Sequence, residues 1–177
     1  MEQEAAWITR AQAGDRRAFE RLLSAYYDRI YRMAYHFSGN RTDAADITQE
    51  VCLRLATRLE GFRGDSSFAS WLYRITLNCY RDYCKKSSTQ RNLDNAYMEY
   101  DALDKAGQAD SNRQVAQLYR MLAGLGDELR ETALLVVAQQ LSHADAGAVL
   151  GVAESTISWR MHEVRKQLKQ QMEARDA

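Results

Sequence analysis

The stretch that decides the fold runs from residue 142 to residue 168: SHADAGAVLGVAESTISWRMHEVRKQL. Ser142 stands three residues before Asp145, the S-x-x-D pattern in which a hydroxyl caps the first N–H groups of a helix. A short helix ending at Leu150 comes next. Gly151-Val152-Ala153 then makes a tight turn, and a last helix opens near Glu154 and continues past Lys169. On it Ile157, Met161, Val164 and Leu168 recur at three and four residues, the spacing of one buried face. Ser155, Ser158, Trp159, His162, Glu163 and Lys166 then point outward. Residues 158–170 hold Arg160, Arg165, Lys166 and Lys169 against Glu163, a net of +3. Short helix, glycine turn, longer basic helix is the order of a helix-turn-helix. In that arrangement long cations meet phosphates and shorter polar groups meet base edges. An amphipathic helix pair with a solvated face has the same pattern.

Helical spacing also fills the chain upstream. Gly14-Asp15 separates a short first helix from a longer one carrying Phe19, Leu22, Leu23, Tyr26, Ile30, Met33 and Phe37. Ser38-Gly39-Asn40 ends it, with glycine suited to the position after a helix. Asp43 is expected to open the next helix, whose stripe is Ile47, Val51, Leu55 and Leu59. Gly61 and Gly64 bracket a loop, and Asp65 or Ser66 is the expected cap of a helix that buries Phe68, Leu72, Ile75 and Cys79. From Ser87 to Asn112 no period is sustained, and residues 94–113 hold five acidic and two basic residues, an acidic linker in composition. Order resumes with Val115, Leu118, Tyr119 and Leu122, breaks at Gly124 and Gly126, and returns with Leu129, Ala133, Leu134 and Val137. Ala133–Ala138 has the composition of a buried strand, but no second strand pattern exists to pair with it, so a helix is expected. The fold class is therefore all-α. Two small helical domains, residues 1–86 and 114–177, are joined by a flexible acidic linker over 87–113.

The 177 residues are 46% hydrophobic and 27% charged, enough apolar mass for a core. No run approaches the roughly 18 apolar residues of a membrane span. Met1-Glu2-Gln3-Glu4 lacks the basic and apolar blocks of a secretory signal, so a cytoplasmic protein is expected. Cys52, Cys79 and Cys84 are odd in number and lack C-x-x-C spacing. His36, His143 and His162 lie far apart. No metal site, cofactor or disulfide is expected from these spacings; Cys52 and Cys79 read as small core residues. No phosphate loop, H-E-x-x-H or recognisable nucleophile set occurs, so no enzyme is expected. The 24 basic and 24 acidic residues cancel, which taken alone argues against nucleic-acid binding. The sum hides a division: residues 1–93 carry +4, residues 94–113 carry −3 and residues 114–177 carry −1.

Two further faces carry recognition chemistry. Trp71, Arg74, Asn78, Arg81 and Lys85 step by three and four residues along one side of a helix. Aromatic and basic groups on one face suit a nucleic-acid strand, with rings stacking on bases and cations tracking phosphates. Beside them the loop Phe62-Arg63-Gly64-Asp65-Ser66-Ser67, leading into Phe68, offers backbone N–H and hydroxyl groups for an extruded base. A core tryptophan with solvent-facing arginines explains the same spacing. Of opposite sign are Asp43, Asp46 and Glu50, with Gln49. Such a face is repelled by DNA and suits a basic protein surface; a solvated helix start favoured by the dipole explains it equally.

Residues 43–86, DAADITQEVCLRLATRLEGFRGDSSFASWLYRITLNCYRDYCKK, closely resemble domain two of extracytoplasmic-function sigma factors. Residues 124–168 resemble their domain four. The resemblance covers nearly the whole chain outside the linker. It implies that Asp46, Gln49 and Glu50 belong to a surface docking on the clamp coiled coil of core RNA polymerase. It implies that the loop from Phe62 to Phe68, including Arg63, Gly64, Asp65, Ser66 and Ser67, holds a base flipped from the minus-10 element. Asn78 and its neighbours Trp71, Arg74, Arg81 and Lys85 would contact that element. Ser155, Thr156, Ser158, Trp159, His162 and Glu163 would face the minus-35 major groove, with Arg160, Arg165 and Lys166 on the backbone. Core RNA polymerase, promoter DNA and an anti-sigma factor are the implied partners. A stand-alone helix-turn-helix regulator and a helical adaptor are the alternatives. The chain departs from the family at Leu125-Gly126-Asp127, where a proline-bearing turn is usual, and at Ala146, Gly147, Ser158 and Trp159. Gly147 in place of alanine is expected to loosen its helix by about 1 kcal/mol.

Overall fold

The computed structural model describes residues 2–86 and 117–176; the expected linker, with Val115, lies outside the described residues. All regular elements among the described residues are helical. The first group is α1 (Glu2–Gln12), α2 (Arg16–Ser38), α3 (Arg41–Arg58), a 3₁₀ turn (Leu59–Gly61) and α4 (Phe68–Lys86). Helical turns at 117–123 lead to α5 (Asp127–Ala133), α6 (His143–Leu150) and α7 (Glu154–Asp176).

Local chemistry sets the ends. The Asp15 carboxylate accepts from the Arg17 and Ala18 N–H groups at 3.0 and 3.1 Å and starts α2. Gly39, at φ 65°, closes it in the left-handed conformation that glycine adopts without strain. One expected cap is corrected and one reading is completed. Asp43 stands in the first turn of α3 as expected, and Asn40 caps that helix, accepting from the Asp43 N–H at 3.0 Å. Ser67, not Asp65 or Ser66, caps α4: its Oγ accepts from the Ser70 N–H at 3.0 Å. The Ser142 cap is found as read, with the Asp145 N–H donating to its hydroxyl at 3.0 Å. Ala133–Ala138 is helical, and its second part widens. From Leu134 to Ala138 the turn is π-type, with the Gln139 N–H donating to the Leu134 carbonyl at 3.0 Å. Gln140 then reverses the chain at φ 55°.

Leu22, Ile30, Met33, Ile47, Leu55, Leu72 and Leu77 are fully buried and form the core of the first group. Each such side chain contributes about 2–3 kcal/mol of burial. Leu134, Leu135, Val149, Ile157, Met161 and Val164 fill the second group and are continuous with that core in one apolar cluster. Gly147 corrects the expected loosening. A methyl group there would sit 2.7 Å from the Val152 carbonyl, so glycine is the residue the turn between α6 and α7 admits.

The two groups touch. α6 packs against α4, and the widened turn reaches α2. Arg81 of α4 forms a two-pronged pair with Glu131 of α5, at 2.9 Å from Nε and 2.5 Å from Nη2. Arg74 donates to the Ala148 carbonyl, and the Ser70 hydroxyl meets Asp145 at 3.4 Å. His36 hydrogen-bonds and stacks on Tyr119.

Candidate nucleic-acid interface

The loop between the 3₁₀ turn and α4 is pinned at both ends and open in the middle. At its start the Phe62 ring meets Phe68 edge-on at 5.3 Å and Trp71 at 5.2 Å. Phe68 meets Tyr26 at 5.2 Å and is buried. Phe68 is buried as the helical stripe predicts, which corrects its place among the base-facing residues: its ring is a pillar of the core. Trp71 is half-buried in the same cluster, so the core explanation accounts for one side of its ring. Between the pinned ends Arg63, Gly64, Asp65 and Ser67 are exposed and Ser66 is half-exposed. Gly64 turns the tip at φ 79°. The Ser67 hydroxyl is engaged in the α4 cap and with Ser70 at 2.8 Å, leaving Ser66 the freer hydroxyl.

Along α4, Arg74, Asn78, Arg81 and Lys85 are exposed on one face beside that loop. The C-terminal group occupies part of it. Arg74 and Arg81 are held by Ala148 and Glu131, and the Glu131 carboxylate strengthens the proton affinity of the Arg81 guanidinium. Asn78 and Lys85 remain at the surface.

On α3, Asp46 and Gln49 are exposed. Glu50 is half-exposed and accepts from Arg54 at 2.7 Å, while Arg54 also reaches Asp82 of α4 at 2.9 Å. Asp43 accepts from the Tyr83 hydroxyl at 2.7 Å, which raises the phenol to about 12. Glu50 and Asp43 therefore also brace α3 against α4. Leu53, 60% exposed, shares the face of Asp46, Gln49 and Glu50. Sequence reading passed over it, although an apolar residue off the Ile47/Val51/Leu55 stripe was a visible signal.

On α7, Ser155, Ser158, Trp159, His162, Arg165 and Lys166 are exposed, Thr156 and Glu163 half-exposed. Trp159 shows 61% of its surface. His143 of α6 hydrogen-bonds the Ser158 hydroxyl at 2.9 Å, fixing it in place. Glu163 accepts from Gln167 at 2.9 Å and lies 3.7 Å from Lys166; both lower its pKa. Arg160 is corrected: its side chain is 10% exposed and pairs with Glu128 at 2.7 Å, so it belongs to the interior of the helix-turn-helix. Two functional neighbours had no local signal in sequence. Glu131 meets Arg81 from fifty positions away, and the Gln12 amide ties the loop to α1 from equally far.

The family described as Sigma-70 region 2 matches residues 22–90. The ECF RNA polymerase sigma factor SigE of Mycolicibacterium smegmatis is 33% identical over 86% of this chain, which spans 60% of that relative's length. SigM of Mycobacterium tuberculosis (strain H37Rv), another ECF RNA polymerase sigma factor, is 31% identical over 88% of this chain and 78% of its own. In fold, the chain is similar to CnrH, solved with the cytosolic domain of CnrY: TM-score 0.75, 24% identity, 97% of this chain and 98% of that one. It is also similar to RpoE of Bartonella quintana, solved with the anti-sigma factor NepR, at TM-score 0.66 and 21% identity over 88% and 96%. With relatives of this extent at both ends of the chain, the protein belongs to the ECF RNA polymerase sigma factors, a family of transcription initiation factors.

Proposed function

We propose that the chain binds core RNA polymerase, recognises the minus-10 and minus-35 promoter elements with separate helical groups, and promotes duplex opening. Residues 1–86 serve as sigma domain two, 87–113 as linker and 114–177 as sigma domain four. The observation that carries this reading is the open-tipped, doubly pinned loop lying beside the Arg74/Asn78/Arg81/Lys85 face. A rigid cradle next to a basic track suits a strand with one base turned out. Ser66 with the backbone of Arg63–Asp65 receives the base; Asn78 and Lys85 line the strand, joined by Arg74 and Arg81 once the C-terminal group leaves α4. Asp46, Gln49, Glu50 and Leu53 dock on polymerase, an apolar centre within an acidic rim. Ser155, Ser158, Trp159 and His162 face the minus-35 groove, and Arg165 and Lys166 its phosphates. The protein is cytoplasmic, performs no covalent chemistry, requires no cofactor and is held in check by an anti-sigma factor. In support, CnrH was solved with CnrY and RpoE with the anti-sigma factor NepR. Among the described residues no helix is long and apolar enough to cross a membrane.

Transcription by core polymerase from fragmented genomic DNA, with and without the protein, tests the reading. Specific starts that depend on the protein are expected. Tight duplex binding without polymerase would instead mark a stand-alone regulator, and binding to neither polymerase nor DNA an adaptor.

A further inference from the structure

The Gln12 side chain ends α1 in an unusual place. Its amide nitrogen donates to the Leu59 carbonyl at 3.0 Å and to the Phe62 carbonyl at 2.8 Å. Leu59 and Phe62 are the two ends of the 3₁₀ turn from which the base-receiving loop departs; the Phe62 N–H itself donates to Leu59 at 3.0 Å. One half-buried primary amide, with two hydrogens, therefore clasps both ends of the turn. Downstream, the loop is next held at the Phe62 ring and at the Ser67 cap. Without the clasp, the Phe62 carbonyl loses the donor that fixes the peptide plane leading into Arg63 and Gly64.

We propose that Gln12 is a positioning residue for base capture: its amide sets the take-off angle of the Arg63–Ser67 tip from α1, a helix outside the strand-binding and polymerase-docking faces proposed above. The proposal rests on the reading of that loop as the cradle of a flipped minus-10 base. Its chemistry needs a donor at position 12 and nothing else there. Gln12→Met keeps the length and removes both hydrogens; Gln12→Lys restores donors on a side chain of similar reach.

Holoenzyme is assembled with each variant and given a forked duplex bearing a minus-10 element selected by wild-type holoenzyme from a random pool. A 2-aminopurine beside the captured base reports unstacking. Core affinity is measured separately by fluorescence anisotropy, and a loop variant, Asp65→Ala with Ser66→Ala, is run alongside. Gln12→Met is expected to lower the unstacking equilibrium about tenfold, because an unclasped tip takes the base-receiving angle for only a fraction of the time and the apparent equilibrium falls by that fraction. Core affinity stays within twofold, and Gln12→Lys recovers most of the signal. If the loop variant loses unstacking while Gln12→Met does not, the clasp is overturned and the loop reading survives. Loss in neither overturns both. Equal loss of core affinity and unstacking, or no recovery with Gln12→Lys, makes Gln12 an ordinary structural contact and also overturns the proposal.

Discussion

Glu131→Gln should release the C-terminal group from α4. In the wild-type junction the Glu131 carboxylate receives two N–H groups of Arg81, at 2.9 and 2.5 Å. The carboxylate is only 8% exposed, whereas the guanidinium is 43% exposed. Glutamine keeps the shape, but one oxygen becomes an NH₂ that faces another donor. One charge-assisted bond is lost, about 1.5–3 kcal/mol in a buried setting. Water on the open side of Arg81 screens the pair, which brings the expected loss down to about 1–1.5 kcal/mol, a five- to tenfold shift in the opening equilibrium. A strand that binds only the uncovered face has an apparent Kd equal to its intrinsic Kd divided by the open fraction. Affinity of the free protein for a dye-labelled single-stranded minus-10 oligonucleotide, followed by anisotropy, should therefore rise five- to tenfold. The radius of gyration from small-angle scattering should rise with it. A larger radius with unchanged affinity would show that the covered face is not the strand's track, and no change in either would refute the latch.

Gly147→Ala should lower the stability of the C-terminal group by about 1–3 kcal/mol in urea titration, because its methyl meets the Val152 carbonyl at 2.7 Å. Arg165→Ala should weaken duplex binding on every sequence and reduce the salt slope by about one, with base preference unchanged in a binding-site selection. Leu53→Asp should cut core polymerase affinity about tenfold, by desolvating a charge, while leaving binding to the minus-10 oligonucleotide within twofold. His36 is held below its usual 6.5, first by burial and then by Arg32. Its neutral form is thus favoured where it stacks on Tyr119, beside Tyr35. Stability conferred by this site is complete above about pH 6.5 and is lost as pH falls below it toward the depressed value; His36→Gln should flatten that part of a pH–denaturation series.

Where a residue's fate is decided within a turn or two of helix, the sequence told it. The stripe Ile47/Val51/Leu55 and the cap at Ser142 stand as read. Arg160 is legible too, although its charge argues for the surface. It occupies the i+3 position between Ile157 and Met161, inside the buried stripe, and periodicity outranks charge once Glu128 supplies a partner. The cap of α4 falls one or two residues past the expected Asp65 or Ser66 because Asp65, Ser66 and Ser67 are all competent acceptors; only chain geometry chooses among them. The junction was not legible. Arg81 and Glu131 each read as an ordinary helix-surface charge, and nothing local pairs them across fifty positions.

The π-type turn at Leu134–Ala138 amounts to one surplus residue in a helix. A turn closed over five residues in place of four rotates the downstream chain by roughly a quarter revolution. Leu134 and Leu135 are buried where the turn begins, Val137 is 61% exposed within it, and the chain passes on to Gln140 at φ 55°. The bearing of α6 and α7 against α4 is thus encoded as a count of residues. Removing one between 134 and 138 would re-aim the helix-turn-helix although every exposed side chain of α7 stayed the same. Chain length at this point therefore sets the orientation of α6 and α7 independently of which side chains α7 carries.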